Sequence, residues 1–135
     1  MKLWKGASRL WRAFSFLLTL LVLLRMLRRF SRYEVAGESM LPTLRPGDFL
    51  IVDRAAYLHA PPSPGHLVIA ADPRAPENDL VKRLAGVRAS DGAAWLEGDN
   101  PSHSTDSRAF GWVPPESLRG RARFRYWPPR GAGRL

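Results

Sequence analysis

The sequence predicts a mainly β protein, a small β body preceded by one hydrophobic helix. Three observations carry this reading. The 135 residues include 12 Pro and 11 Gly, which cut the chain into short elements and argue against a helical bundle. Five runs of five or six β-suited residues lie between Pro, Gly and Asp punctuation. One uncharged, mostly apolar run, Ala13 to Leu24, stands near the first residue. The length is that of one domain plus an appendage, which excludes any account needing two substantial cores.

The apolar run holds 12 residues, about 18 Å as a helix, against roughly 30 Å of bilayer core. Extending it from Leu10 to Phe30 gives 21 residues, enough to span if Arg12, Arg25, Arg28 and Arg29 snorkel toward the headgroups. Arg25, Arg28, Arg29 and Arg32 fall on one helical face suited to an anionic lipid surface, so the helix is expected to continue past the membrane. A cleaved signal peptide and an interfacial helix compete with a retained single-pass anchor. No small-x-small cleavage site follows the run before Val35-Ala36-Gly37, which favours retention. Basic residues on both sides leave the orientation open by charge alone.

In the body, Asp48–Asp53, His66–Ala71, Leu80–Leu84 and Ala93–Glu97 read as strands, with turns at Arg45-Pro-Gly-Asp48 and Ser63-Pro-Gly65. Arg121 to Tyr126 alternates charged and apolar residues as a half-buried strand does, with its arginines expected to face water. Ala60 to Pro64 is a stiff loop, and Pro128-Pro129 opens a tail that need not be ordered. The resulting division is a basic arm at 1–9, an anchor helix at 10–32, a body at 33–129 and a tail at 130–135.

Charge is segregated. The net +9 resides at the two ends, whereas Glu34 to Glu116 holds seven basic and twelve acidic residues. A nucleic-acid-binding core is disfavoured on that count. The absence of cysteine removes disulfides, thiolate nucleophiles and Cys-ligated metals. His59, His66 and His103 lie at no ligand-like spacing, and no glycine-rich phosphate cradle is present, so neither metal nor cofactor is expected.

What remains is a nucleophile without a histidine. The chain has three lysines, two of them in the basic arm, and Lys82 is alone in the body. Lysine, unlike arginine, becomes a base when burial lowers its pKa. Strand alternation puts Lys82 on the face opposite Val81 and Arg83. An ordinary surface lysine is the competing reading. Ser39 lies in Gly37-Glu-Ser-Met-Leu-Pro-Thr-Leu44, where Gly37 permits a sharp approach and Pro42 fixes the exit, so its hydroxyl can be presented on a turn. Such a serine is also compatible with a plain turn.

Three blocks together make the chain resemble the type I signal peptidases, the serine–lysine membrane proteases that remove signal peptides. Gly37 to Leu44 with Pro46-Gly-Asp48 resembles the family's nucleophile box, and LVKRLAGV around Lys82-Arg83 its lysine box. Gly98-Asp-Asn100 with Ser104-Thr-Asp-Ser-Arg108 and Phe110-Gly111 resembles its third box. The resemblance runs from about Tyr33 to Pro129 and implies a small antiparallel β catalytic core of signal-peptidase type, a serine–lysine peptidase domain, on the N-terminal helix. It implies Ser39 as nucleophile, Lys82 as general base, Ser104 orienting the lysine, and Arg83, Asp106 and Arg108 bracing the site.

Two features depart from longer bacterial members. Gly37 stands where a serine often helps hold the oxyanion, leaving the Ser39 backbone N–H for that task. The stretch from Lys82 to Gly98 is brief, as in the compact mitochondrial inner-membrane peptidases and the maturation proteases for nickel superoxide dismutase. The expected partners are a precursor carrying a signal or leader peptide and the lipid bilayer, with no nucleic acid. The expected place is a bacterial plasma membrane, single-pass, with the catalytic body extracytoplasmic. Alternatives are a dedicated maturation protease for a metalloenzyme precursor and a self-cleaving repressor with a similar serine and lysine. The repressor class lacks the third block and carries a helix-turn-helix instead of an apolar anchor. A catalytically dead, membrane-tethered β module would leave all three blocks unexplained.

Overall fold

The computed structural model describes residues 4–135. They form two compact units, one ending at Phe30 and the other spanning Ser31–Leu135.

The first unit is helix α1, Trp4–Arg29. Its leucine-rich sequence contains no proline, and Arg28 and Arg29 in its last turn complement the negative end of the helix dipole. The 20-residue stretch Leu10–Arg29 has a mean hydropathy of 1.8 and none of it is buried. The helix is therefore long and apolar enough to cross a membrane. It stops at Arg29, and Phe30–Glu34 is strand β1. This corrects the expected helical continuation to Arg32: Phe30, Tyr33 and their neighbours alternate, with Ser31 and Tyr33 turned inward.

The second unit is an antiparallel sheet. Its remaining strands are β2 (Phe49–Asp53), β3 (Leu67–Asp72), β4 (Ala75–Val87), β5 (Ala94–Glu97), β6 (Leu118–Trp127) and β7 (Gly133–Arg134). The order across the sheet is β1-β2-β6-β3-β4-β5, with β7 added to β6. Each strand read from the sequence is present, and β4 is longer than its apolar run because Ala75 to Asp79 completes the hairpin with β3. Two apolar clusters fill the two sides. One gathers Val35, Met40, Leu44, Leu50, Val52 and Ile69. The other gathers Val68, Ala70, Leu84, Ala94, Leu96 and Val113.

Two expectations about the C-terminal part are overturned. Gly133 and Arg134 pair with Arg125 and Phe124, and Leu135 packs on the first cluster, so the segment after Pro129 is built into the body. Arg121, Arg123 and Arg125 of β6 are half-buried on the inner side of the strand rather than turned to water, whereas Arg119 is exposed. Arg123 reaches Asp53 at 3.5 Å and Arg125 reaches Asp48 at 2.9 Å, while Phe124 and Tyr126 are 49% and 39% exposed. The cause is the pair of buried carboxylates, Asp48 and Asp53, which need cationic partners.

Candidate active site

Ser39 lies in the loop between β1 and β2. The loop is pinned by two fully buried side chains, Met40 and Leu44, on either side of the Pro42 turn. Backbone bonds close it: Val35 N–H donates to Asp48 O at 2.9 Å and Gly47 N–H to Val35 O at 2.8 Å. The serine itself is half-buried, facing a cleft of about 180 Å³ that it shares with Tyr33, Gly37, Leu80, Val81 and Lys82. Among the described residues, no backbone carbonyl accepts the Ser39 N–H.

Lys82 projects from β4, paired across the sheet with Val68. It is only 3% exposed. Its ammonium donates to Ser104 Oγ at 3.1 Å, and the Ser104 hydroxyl donates to Asp106 Oδ2 at 2.5 Å. Burial pushes the Lys82 amine below its ordinary pKa; Asp106 pulls it back up, and Arg74 and Arg108 push it further down.

Asp106 caps the short helix α2, Ser107–Phe110, by accepting the Arg108 N–H. It also accepts Arg108 Nε at 2.9 Å, Arg108 Nη2 at 2.5 Å and Gly98 N–H at 2.8 Å. Burial would raise its pKa, but the guanidinium and these donors outweigh it and hold the carboxyl well below the usual carboxylate range. The group is therefore a fixed anion at neutral pH, 1% exposed and fully hydrogen-bonded.

Gly98 lets these parts meet. A Cβ there would lie 2.2 Å from Ser104 Oγ and 2.5 Å from Ser39 O, so only glycine allows the three segments to approach.

Lys82, Ser104, Asp106 and Arg108 thus form one chain of contacts, with Ser39 on the same cleft as the lysine. Arg83 stands apart. It projects to the opposite face of β4, where its guanidinium forks onto Asp99 at 2.8 and 2.6 Å and donates to Gly65 O at 3.0 Å. It braces the loop that carries Ser39 through Asp99, whose Oδ2 also accepts Thr43 Oγ1 at 2.6 Å.

Three further residues hold that loop and were given no role from the sequence. Asn100 donates its N–H to Ser39 O at 2.9 Å and its Nδ2 to Glu38 O at 3.1 Å. Asp99 supplies the anion just described. Arg125 donates to Thr43 O at 3.0 Å, to Asp48 and to Gly131 O. The first two sit inside Gly98-Asp-Asn100, a legible signal, whereas nothing local marks Arg125 among its neighbouring arginines. Among the described residues, no group of three or more His, Asp or Glu side chains is placed to hold a metal ion.

Fold and site together define a small antiparallel β protein with a buried lysine, wired to a carboxylate, beside a serine-bearing cleft. The family model described as signal peptidase, peptidase S26 matches residues 8–89 and 88–127. The chain belongs to this family of serine peptidases. It is 31% identical to the mitochondrial ATP-independent inner membrane protease subunit 1a of Arabidopsis thaliana, over 100% of this chain and 95% of the relative. It is 33% identical to the human mitochondrial inner membrane protease subunit 1, over 69% and 67%. A probable signal peptidase I-1 of Synechocystis is 29% identical over 87% and 81%.

Proposed function

We propose that the chain is a membrane-anchored endopeptidase that removes signal or leader peptides from precursor proteins by acyl-enzyme chemistry, with Ser39 as nucleophile and Lys82 as general base. The observation that carries this is the buried lysine held by the Ser104–Asp106 pair on the cleft that Ser39 lines. One Lys82 N–H is committed to Ser104. In the neutral amine the lone pair is then left for the Ser39 proton. As Ser39 Oγ attacks the scissile carbonyl, its proton passes to Lys82 Nζ, and the lysine hands that proton to the leaving amine. Water, deprotonated by the same amine, then hydrolyses the ester and restores Ser39. The Ser39 N–H, left without a carbonyl partner, supports the developing oxyanion in the absence of a side chain at Gly37. Asp106 stays ionised throughout and stabilises the lysine as it becomes charged.

Helix α1 serves as the single-pass anchor, in a bacterial plasma membrane with the body on the outer face; the bacterial setting is supported by the Synechocystis relative. A reporter active only outside the cytoplasm, fused after Leu135, should be active in cells, and activity of a cytoplasm-only reporter would reverse this topology. The chemistry is tested with purified protein in detergent, sequencing the new amino termini of candidate precursors. Ser39→Ala, Lys82→Met and Lys82→Arg should each lose cleavage, the last because a guanidinium accepts no proton at workable pH. Full activity in Lys82→Arg would remove Lys82 as base.

A further inference from the structure

The turn joining β3 to β4 carries a charge pair that no part of the mechanism above uses. Asp72, at the end of β3, is 7% exposed. Its carboxylate accepts Arg74 N–H at 2.9 Å, Arg74 Nε at 2.9 Å and Arg74 Nη2 at 2.7 Å. That is a full fork on a buried anion, built within three residues. The guanidinium also lies 5.8 Å from the centroid of the Phe110 ring, within the range of a cation–π contact.

The placement of the pair gives it meaning. Val68, Ala70 and Asp72 alternate onto one face of β3, and Val68 is the cross-strand partner of Lys82. Asp72 is thus on the lysine's face of the sheet, with Ala70 between it and Val68. Phe110 closes α2, the helix that Asp106 caps. Arg74 therefore joins the hairpin that presents Lys82 to the segment that presents Ser104 and Asp106. The Lys82–Ser104 bond of 3.1 Å spans that same junction.

We propose that Arg74, fixed by Asp72, is a positioning residue for Lys82: it ties the lysine's hairpin to the Asp106 segment and sets a permanent positive charge that acts on the lysine amine. The proposal rests on Lys82 being the general base. The charged groups that act on the amine are Asp106 and Arg108 from the α2 segment and Asp72 and Arg74 from the β3–β4 turn, while Tyr33 from β1 and Asp79 from β4 share its cleft. Arg74 is one of the two cations in that set, and its influence lowers the lysine's pKa. Removing it raises that pKa, and the Asp72 carboxylate left behind raises it further, so less of the amine is neutral at a given pH.

The test is the pH dependence of kcat/KM on a cleaved precursor peptide, whose acid limb reports the free enzyme's base. In Arg74→Gln the acid limb should move up by about half a pH unit, roughly threefold in rate on the limb. Arg74→Lys keeps the charge without the fork and should hold the limb near its original position, even if kcat falls. A limb in Arg74→Gln that coincides with the parent, with only kcat or thermal stability lowered, would reduce Arg74 to a structural brace and overturn the proposal. Equal displacement in Arg74→Lys and Arg74→Gln would overturn the role of charge. Lys82→Met is measured alongside: retained cleavage there would sink the lysine-base reading itself, a result distinct from an unmoved limb in the Arg74 variants.

Discussion

Replacing Gly98 by alanine adds one methyl group at the most crowded point of the site. The new Cβ would lie 2.2 Å from Ser104 Oγ, 2.6 Å from Ser104 Cβ and 2.5 Å from Ser39 O. Ordinary carbon–oxygen contact needs well over 3 Å, so the neighbours must retreat by about 1 Å. Neither can do so freely. Ser39 O is held by the Asn100 N–H at 2.9 Å, and Ser104 Oγ sits between Lys82 Nζ at 3.1 Å and Asp106 Oδ2 at 2.5 Å. A displacement of that size opens the lysine contact and shifts the Ser39 backbone, which on the proposed mechanism should cost about 100-fold in kcat/KM. Overpacking of this kind destabilises by about 1–3 kcal/mol, or roughly 4–20 °C in melting temperature for a body of this length. The assay is precursor cleavage by purified Gly98→Ala together with its thermal unfolding in detergent. Gly37→Ala is the control, because a Cβ there meets nothing within 4 Å; its melting temperature should match the parent. Cleavage by Gly98→Ala within threefold of the parent would refute the claim that close approach at this glycine assembles the site.

Two other outcomes follow from the geometry. Ser104→Ala should lower kcat strongly with little change in KM, since the Ser104 contact matters as charge develops on Lys82; a change in KM alone would make Ser104 a substrate contact. Burial, with some help from Asp79, raises the Tyr33 phenol to about 12, and burial raises Tyr57 to about 12. Their folded pKa exceeds the unfolded value, so their contribution to stability is complete below pH 10 and is lost as pH rises toward 12. Ultraviolet titration should therefore show two phenols ionising late. Ionisation of both near pH 10 in the folded protein would refute their burial.

Much of this was legible in the residues. The strands from β2 to β6 announce themselves because their apolar runs end at Pro, Gly or Asp, and Lys82 is conspicuous as the body's solitary lysine. Strand β1 was hidden by Arg28, Arg29 and Arg32, whose helical spacing continues the pattern of α1 while the alternation of Ser31 and Tyr33 is too short to register. The inward turn of Arg123 and Arg125 was unreadable from their strand, because it depends on Asp53 and Asp48, which lie 70 and 77 positions away. Arg83 illustrates a middle case. Alternation correctly separated it from Lys82, yet its carboxylate partner, Asp99, became evident only when the third block was folded against β4.

Strand β6 lies between β2 and β3 although both precede it in the chain. Until residues 118–127 arrive, the fragment carrying Ser39 and the fragment carrying Lys82 share no ladder, and the Arg125 clasp on the serine loop does not exist. On the proposed function, a growing polypeptide carries Ser39 and Lys82 before β6 exists to join their fragments. The hydrophobic helix, made first, is likewise complete before the strand that joins those two fragments.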